Sequence, residues 1–419
     1  MIDTRRHLHK YPEVSNKEIK TIEFLSEQLA KMNVEHIVVP GGGILGFING
    51  SNAGKTVLLR ADCDALPMTE SPDNLKGPKA VVSVNEGACH ACGHDGHTAM
   101  LLAAGKILAS NKKKINGRVI LLFERGEEST GNLVFLFKYI QDNNIHIDSA
   151  YGIHLHPLLE SGKIAINPGP VTAGSIWFDI KITGRGGHGS RPDESVNPID
   201  CFNALNLAMN NIRMNRINPF RPLTFSVGYV KSGSQNNIIP DTLEFGGTVR
   251  FYHAEDGMRF LAALKNQMKT IGDAYNCEIS GAFDGPTFSV INDTDCANLA
   301  KKAVSDAIGA EKVIETEPLM VSESMSNILT MWPGVFALLG IQNKEKGTGA
   351  AFHNTHFDID EDVLKLGAAS AIAYAYGFLN SDINTEPRKW KKSMADMYRY
   401  SGRSIDMVNF LEGKGTLNI

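Results

Sequence analysis

Two cysteines and three histidines are concentrated in the stretch GACHACGHDGHTAML, residues 87–101, which runs into an apolar segment. Such residues could form a haem attachment, a structural zinc site, a thiol redox pair or part of a hydrolytic metal centre. A haem attachment requires a histidine directly after the second cysteine, where this sequence has Gly93. A structural zinc site requires a second pair of ligands at short spacing downstream, and none follows. The redox pair Cys89–Cys92 and the hydrolytic centre both remain open.

Further residues of the same chemical kinds lie at the ends of apolar runs elsewhere in the chain. Glu127 and Glu128 follow VILLF, His154 lies near the end of AYGIHL, and His353 lies in AFHNTHFDIDED. Zinc-type metals accept thiolate, imidazole and carboxylate ligands together. Each carboxylate taken alone would more often be a solvated surface charge. Their repeated occurrence at strand ends favours one shared metal centre, in which one carboxylate of the Glu-Glu pair binds metal and the other stays free as a base.

Apolar runs and helical periodicity alternate through the first third of the chain and again after residue 283. The predicted strands are Thr56–Ala61, Val119–Phe123, Ala150–Leu155 and Gly334–Gly340. The predicted helices include Thr98–Ser110, Asn132–Gln141, Asp295–Ile308 and Asp360–Leu379. This alternation predicts an α/β fold with a largely parallel sheet covered on both faces. The candidate ligands would gather at the carboxyl ends of its strands, where such sheets bind ligands.

The middle third of the sequence has a different pattern, which predicts a second, inserted domain. Strands alternating in polarity at Ser175–Thr183, Leu223–Val230 and Thr242–Phe251 combine with two helices and a last short strand, Cys277–Phe283. The order β-α-β-β-α-β is the ferredoxin-like arrangement. We therefore expect an inserted domain over residues 169–283 and a discontinuous catalytic domain formed by residues 1–168 and 284–419. The last forty residues are polar, and we expect a solvated tail or a surface helix there.

Composition and charge exclude several classes of protein. The chain has 419 residues, of which 42% are hydrophobic and 21% are charged, as in ordinary globular proteins. A formal net charge of −4 provides no basic surface, so we expect no nucleic-acid partner. The six cysteines are too few for a disulfide framework at this size. With no secretory signal and no apolar run of membrane-spanning length, a cytoplasmic protein with no membrane contact is expected.

The ordered motifs resemble the M20 metallopeptidase family, and in particular its amidohydrolase branch of aminoacylase-like, hippurate hydrolase-like and auxin-conjugate hydrolase-like enzymes. The matching stretches are RRHLHKYPEVS, LLRADCDALPMTE, HACGHDGHTAMLL, ITGRGGHGSRP, NNIIPDTLEFGGTVR and FHNTHFDIDEDVLKLG. The resemblance covers nearly the whole chain. It implies a three-layer α/β metallo-exopeptidase-like catalytic domain with an inserted ferredoxin-like domain that serves as a lid and a dimerisation surface.

The resemblance also implies a site with two divalent metal ions. Its ligands would be Cys92, His94, Glu128, His154 and His353, with Cys92 bridging the ions. Glu127 would be the general base, acting on a water activated by the metals. His188, Asn237 and Arg250 match residues that reach substrate, the first two often across a dimer interface. His188 would stabilise the oxyanion, Arg250 would hold a carboxylate, and Asp64 would orient a ligand.

The implied activity is hydrolysis of the amide bond of an N-acyl amino acid or a related small amide by a homodimer. Zinc or manganese would serve as the metal, and cobalt or nickel would also fit these ligands. Three alternatives stay open: a dipeptidase or carboxypeptidase of the same family, a homologue that binds metal without catalysis, and the thiol redox protein. The sequence also departs from the family pattern. FERGEE stands for FQPAEE and SESMS for SEDFS, so Glu124, Arg125 and Ser324 replace an amide, a proline and an aspartate.

Overall fold

The computed structural model describes residues 1–129 and 131–417. Its helices are α1 (Ile2–Lys10), α2 (Ile19–Lys31), α3 (His94–Ser110), α4 (Leu133–Asp142), α5 (Pro198–Arg216), α6 (Ala254–Tyr275), α7 (Thr294–Ile308), α8 (Met325–Met331), α9 (Leu364–Leu379), α10 (Met394–Tyr400) and α11 (Ile405–Leu411). Its strands are β1 (Glu35–Val39), β2 (Gly43–Asn49), β3 (Asn52–Asp62), β4 (Asn116–Glu124), β5 (Ser149–Glu160), β6 (Ile164–Ala165), β7 (Gly169–Thr172), β8 (Gly174–Thr183), β9 (Gly187–His188), β10 (Leu223–Ser232), β11 (Ile238–Ile239), β12 (Thr242–Phe251), β13 (Glu278–Asp284), β14 (Val290–Asn292), β15 (Val313–Ile314) and β16 (Gly334–Gln342).

The larger sheet contains eight strands in the order β1-β2-β4-β3-β5-β16-β6-β15. The four central strands, β4, β3, β5 and β16, run parallel and contain the four apolar runs that predict strands. On one side β2 joins antiparallel to β4, and β1 joins antiparallel to β2. The sheet is therefore mixed, and the expectation of a largely parallel sheet holds only for its centre. Parallel central strands bring their carboxyl ends to one edge, which positions the site.

Helices cover both faces of this sheet, which confirms the predicted three-layer α/β class. Residues of α2, α3, α7 and α9 pack in one buried cluster with the side chains of Val57, Leu59 and Ala61. The intervening Leu58 faces the opposite cluster, together with residues of α4, α8, α10 and α11. Successive residues of β3 are thus buried on alternate faces. This explains why the strand reads as a continuous apolar run rather than as an alternating one.

The smaller sheet has the order β10-β12-β8-β13, with every neighbouring pair antiparallel. In chain order its elements are β8-α5-β10-β12-α6-β13, the predicted ferredoxin-like arrangement. Helix α5 begins as the sequence predicts: the side chain of Asn197 accepts a hydrogen bond from the Ile199 backbone N–H at 3.0 Å. Apolar residues of β8 and β12, among them Phe178 and Phe245, pack against α5 and α6 in a third cluster.

The segment after Leu379 contradicts the expectation of a solvated tail or surface helix. It forms α10 and α11, and Met397, Tyr398, Val408 and Leu411 are buried in the cluster that covers one face of the large sheet. The segment is polar overall, but it contains a few apolar residues at helical spacing. These residues are sufficient to pack two short helices against the core on this face of the sheet. Within the described residues, the structure contains no helix with the length and apolarity needed to span a membrane.

Candidate active site

The five predicted ligands converge beside the carboxyl ends of the central strands. Cys92 and His94 lie at the start of α3, Glu128 follows β4, His154 lies in β5, and His353 lies in the loop after β16. The Nε2 atom of His353 is 3.3 Å from Glu128 Oε1, and His94 Nε2 is 3.8 Å from the same oxygen. The Cys92 Sγ atom is 3.7 Å from His154 Nε2. Residues distant in the sequence are thus brought within ligand spacing.

Local backbone geometry presents these ligands. Helix α3 begins after Gly93, whose φ of 91° lies in the left-handed region that glycine adopts without strain. His353 has φ 59°, an uncommon conformation for a histidine, and its backbone N–H donates to the Ala91 carbonyl at 2.9 Å. This hydrogen bond joins the His353 loop to the cysteine–histidine stretch. Strained backbone held by surrounding structure is characteristic of functional sites.

Hydrogen bonds at the far ring nitrogens orient two histidines for metal binding. Asp64 Oδ1 lies 3.0 Å from His94 Nδ1, and the Leu155 carbonyl lies 2.7 Å from His154 Nδ1. Because each Nδ1 carries the proton toward an acceptor, each Nε2 keeps its lone pair for a metal. Asp64 is itself held by the Ser15 hydroxyl at 2.6 Å and by the Glu128 backbone N–H at 3.1 Å. The structure therefore puts Asp64 behind the ligands, in contact with His94.

Unpartnered buried atoms test whether these residues suit a metal. His94 Nε2 and Glu128 Oε1 are buried without a hydrogen bond to any residue in 1–129 or 131–417. Leaving buried polar atoms unsatisfied is unfavourable unless another partner binds them. Three groups of potential ligand atoms, each within 4.8 Å of one another, overlap here: Cys92, Glu128, His353; His94, Glu127, Glu128; and Asp62, His94, His97, His154. This mixed thiolate, imidazole and carboxylate set fits zinc-type divalent ions.

His97 is close to these groups, but both of its ring nitrogens are already engaged. Its Nδ1 lies 2.6 Å from Asp62 Oδ1, and its Nε2 accepts a hydrogen bond from the Leu155 backbone N–H at 2.9 Å. A ring that donates at one nitrogen and accepts at the other has no lone pair left for a metal. His97 is therefore a structural residue that fixes Leu155 and Asp62.

Glu127 lies beside the ligands in a position suited to proton transfer. Its side chain lines a cavity, and the Ser324 backbone N–H donates to Oε1 at 2.9 Å. Burial, reinforced by the neighbouring Glu323 and Glu128 carboxylates, raises the pKa of Glu127 well above its usual range. A raised carboxyl pKa approaches the working pH, the condition under which a side chain can both take and return a proton.

A buried arginine joins the strands that carry the site. Arg60, on β3, lies 2.9 Å from Asp62, 2.7 Å from Glu124 and 3.1 Å from Glu323. Our sequence prediction did not assign it a role, although an arginine within the apolar run TVLLRA was a signal. A charge in a buried strand requires charged partners. Glu124, which departs from the family pattern, is one of those partners.

The start of the chain supports the cysteine–histidine stretch from behind. Arg5 of α1 lies 2.8 Å from Asp95, which follows the ligand His94, and His9 Nδ1 lies 2.8 Å from the same carboxylate. The Nε2 atom of His9 lies 2.8 Å from Glu70, which also contacts Lys79. Buried ion pairs thus join the RRHLHKYPEVS stretch to Asp95, next to the predicted ligand His94.

The three residues expected to reach substrate lie in different places. Arg250 lines the cavity, where its guanidinium lies over the Trp177 ring at 5.4 Å and donates to Ser322 Oγ at 3.1 Å. His188 and Asn237 are exposed, and neither belongs to the described lining of the cavity. They adjoin each other, because β9 pairs with β11 and Gly189 N–H donates to the Asn237 carbonyl at 2.8 Å. Within one chain, therefore, His188 and Asn237 do not reach the ligands.

The cavity beside the ligands has a volume of about 600 Å³, which is within the range of pockets that enclose small molecules. Its described lining includes Cys92, Glu127, Glu128, His154 and His353 together with side chains from β8, β12 and the C-terminal segment. Tyr398 and Arg403 belong to the last group. No pattern in the sequence indicated them as site residues.

The geometry disfavours the thiol redox interpretation of Cys89 and Cys92. Cys89 is 1% exposed, and burial raises the pKa of its thiol to about 12. Reactive cysteines instead have lowered pKa values and partial exposure. All six cysteines are free. Cys92 is the one at the ligand cluster, in agreement with the hydrolytic interpretation.

Comparison with known proteins decides the family. Residues 58–376 match the family described as Peptidase family M20/M25/M40. This chain belongs to that family. Membership together with the ligand set makes it a metal-dependent hydrolase of amide or peptide bonds.

Three similar proteins represent its relatives. Thermostable carboxypeptidase 1 of Saccharolobus solfataricus is 37% identical over 91% of this chain and 95% of its own length. IAA-amino acid hydrolase ILR1-like 4 of Arabidopsis thaliana is 30% identical over 90% of this chain and 86% of its own. A solved structure, the Bacillus subtilis YXEP protein, described as a dinuclear metal binding peptidase from the M20 family, has a TM-score of 0.75 and 25% identity over 91% of this chain and 98% of its own.

Proposed function

We propose that this protein hydrolyses the amide bond of N-acyl amino acids or closely related small amides, with Glu127 as the general base. The observation that carries the proposal is the position of Glu127. It lines the cavity, has one oxygen held by the Ser324 N–H, and is the neighbour in sequence of the ligand Glu128. The names of relatives such as IAA-amino acid hydrolase ILR1-like 4 support a substrate of this class.

The residues of this chain divide the reaction among them. Two divalent ions, held by Cys92, His94, Glu128, His154 and His353, would supply Lewis acidity to the amide carbonyl and to a water. The Ser324 N–H fixes Glu127 Oε1, so that the carboxylate takes a proton from water and returns it to the leaving amine nitrogen. Arg250, which lines the cavity, would hold a substrate carboxylate by paired hydrogen bonds. Trp177 keeps the guanidinium in place from one side.

The test of the general base is Glu127→Gln, which keeps the shape of the side chain and removes its basicity. We expect the metal content to be unchanged and kcat to fall about 10²–10⁴-fold. Glu86→Gln, at an exposed glutamate outside the cavity lining, is the matched control. A Glu127→Gln enzyme with nearly full kcat on an N-acyl amino acid would refute this role for Glu127.

A second candidate function is a carboxypeptidase or dipeptidase, favoured by the name of the Saccharolobus relative. The same ligands and base would serve either reaction, so only the substrate distinguishes them. The measurement is kcat/KM for a set of N-acetyl amino acids and for dipeptides with the same C-terminal residue. Faster cleavage of the acetylated set supports the first proposal, and faster cleavage of the dipeptides supports the second.

Two metal ions per chain, with zinc or manganese as the native metal, form part of the proposal. Elemental analysis of protein purified without chelator or affinity-tag nickel measures both number and identity. We expect close to two ions per chain, in agreement with the overlap of ligand groups at Glu128. One ion per chain after saturation with either metal would contradict a two-metal site.

We further propose a homodimer, with an inserted domain over residues 169–283 that supplies His188 and Asn237 to the partner's site. Their distance from the cavity of their own chain supports this arrangement. Mixing Glu127→Ala and His188→Ala proteins should restore one active site per heterodimer. Absence of complementation after demonstrated subunit exchange would refute it. The free cysteines agree with a reducing, cytoplasmic setting, which we retain as a proposal.

A further inference from the structure

The C-terminal segment, residues 380–417, lies outside the part of the chain that matches the family, yet it forms one wall of the active-site cavity. Tyr398 of α10 and Arg403 after it both line the cavity. Tyr398 also packs edge-to-face on Phe137 of α4 at a ring distance of 6.3 Å. Residues beyond the range that the family description matches therefore supply this wall.

Specific local contacts hold the segment against the cavity. Ser393 forms a reciprocal capping box with Asp396 at the start of α10. At the other end, the Tyr400 ring stacks on Phe288 with a centroid distance of 5.6 Å and an angle of 12°. The two ends of this short helix are thus both anchored, one by its cap and one by an aromatic stack.

A glycine turn then directs Arg403 to the cavity. Gly402 has φ 64°, and a Cβ at this position would lie 2.5 Å from the Gly285 carbonyl oxygen. Both observations require glycine. The backbone N–H of Arg403 donates to the Tyr398 carbonyl at 3.0 Å, which closes the helix end. These contacts fix the backbone of Arg403 beside the cavity.

The positive charge of Arg403 is weakly compensated by the residues that the structure describes. Its side chain is 12% exposed, and the ion contact it makes is with Asp284 at 3.9 Å. That aspartate is itself 62% exposed. Among the residues in 1–129 and 131–417, the Arg403 guanidinium makes no side-chain hydrogen bond of normal length. A guanidinium withdrawn from water is costly unless it is paired, so an anionic ligand in the cavity would supply what the protein does not.

Two hydroxyls in the same cavity lining are also available to a ligand. Thr172 is 2% exposed, and its Oγ1 has no hydrogen-bond partner within the described residues. The phenol of Tyr398 is buried, and burial raises its pKa, so it remains a neutral donor. A guanidinium and hydroxyl donors that line the same cavity can together recognise a carboxylate.

Arg250 and Arg403 approach the cavity from opposite sides of β8. Arg250 on β12 pairs in register with Ser175 of β8, whereas Asp284 on β13 pairs with Trp177 of β8. Neighbouring strands are about 4.8 Å apart, so roughly 10 Å of sheet separates the backbones of Arg250 and Asp284. Arg250 thus starts from the strand on one side of β8, and Arg403 contacts the strand on its other side.

We propose that Arg403, with Tyr398 and Thr172, binds a second carboxylate of the substrate, so that the preferred substrates are small amides carrying two carboxylates. The proposal rests on the amide hydrolase function proposed above and specifies its substrate class. Arg250 takes one carboxylate, and Arg403 takes the other from the far side of β8. The cavity of about 600 Å³ has room for an amide substituted at both ends.

The experiment compares two matched pairs of substrates on the metal-loaded full chain. N-succinyl-L-alanine against N-butanoyl-L-alanine tests a carboxylate at the acyl end, and N-acetyl-L-glutamate against N-acetyl-L-glutamine tests one at the amine end. We expect kcat/KM to be at least tenfold higher for the acidic member of one pair. Arg403→Met should lower this preference at least tenfold, and Arg403→Lys should retain part of it. Arg399→Met, four residues earlier on the exposed side of α10, is the matched control and should leave the preference intact.

The results distinguish failure of the subsite from failure of the amide hydrolase function. If neither acidic substrate is preferred, or if Arg403→Met leaves the preference unchanged, the subsite proposal is wrong. If the wild-type enzyme cleaves none of the four substrates, the amide hydrolase proposal fails for this class, and binding then tests the subsite separately. Glutarate should raise the melting temperature of the wild-type metal-loaded protein more than butyrate does. An equal difference in Arg403→Met would overturn the subsite.

Discussion

Glu124 and Ser324 stand where the M20 pattern has glutamine and aspartate, and the structure places them in contact. Glu124 Oε2 accepts hydrogen bonds from Arg60 Nε at 2.8 Å and from Ser324 Oγ at 2.9 Å. Arg60 Nη2 also donates to Ser324 Oγ at 2.8 Å. We interpret the two departures together, because here position 124 supplies a carboxylate that faces Arg60, and position 324 supplies a hydroxyl that contacts both groups. The prediction is that the two positions are energetically coupled and can be exchanged together.

The magnitude follows from the contact distances. Ser324→Asp alone places a second carboxylate beside Glu124, and two unit charges 4 Å apart repel by about 4 kcal/mol at an effective dielectric constant of ~20. Burial raises the pKa of Glu124 to about 7, so proton uptake limits this cost near neutral pH. Glu124→Gln alone keeps an acceptor oxygen but removes one of the carboxylates that face Arg60, and should cost about 1–3 kcal/mol. Combining both changes should recover about 1–3 kcal/mol of coupling energy.

The coupling should depend on pH in a defined direction. The folded-state pKa of Glu124, about 7, lies above the ordinary value for a glutamate. Its protonated form is therefore favoured in the fold, and wild-type stability is lost as the pH rises through 7. In the Ser324→Asp variant, the introduced carboxylate raises the pKa of Glu124 further, so the cost of the second carboxylate relative to wild type grows as the pH rises above 7. We expect a larger coupling at pH 8 than at pH 6.

The assay is urea unfolding of the four proteins in the cycle, with and without metal, at both pH values. Ser324→Asn, which has the shape of aspartate without its charge, is the matched control and should be tolerated within about 1 kcal/mol. If the single changes add to within about 0.5 kcal/mol at pH 8, the two positions are independent and the exchange interpretation is refuted.

Two other predictions concern the ligands and the buried ion pairs. Cys92→Ser should lower the bound metal measured by elemental analysis, whereas Cys89→Ser should leave it unchanged; equal losses would revive the thiol pair. The hydrogen bond from His9, aided by Lys79 against the opposing effect of burial, holds the pKa of Glu70 at about 2. Because this pKa is below the ordinary value of a glutamate, its contribution to stability is present above about pH 4.5 and is lost as the pH falls towards 2. Glu70→Gln should therefore destabilise the metal-free protein by about 2 kcal/mol at pH 7 and by less at pH 3. A difference in urea unfolding that does not depend on pH would contradict this.

Local sequence pattern predicted most of the elements that carry the site. The apolar runs in β3, β4, β5 and β16, the alternation in β8 and β12, and the Asn197 cap of α5 are each set by neighbours in the chain. The edge strands β1 and β2 were not predicted, since their residues 35–49 are short, glycine-containing runs without a clear period. Pairing with β4 supplies the hydrogen bonds that make β2 a strand.

The sequence by itself determined the chemistry of the site, because residue types and their spacing specify which atoms can bind a metal or move a proton. Cys92, His94, Glu127 and Glu128 could be proposed as candidates on that ground alone. Only the tertiary structure decided which lone pairs face the centre, that Arg60 joins three carboxylates, and that Arg403 reaches the cavity. These facts depend on contacts between residues far apart in the chain. No local pattern encodes such contacts, since packing selects them only after the sheet has formed.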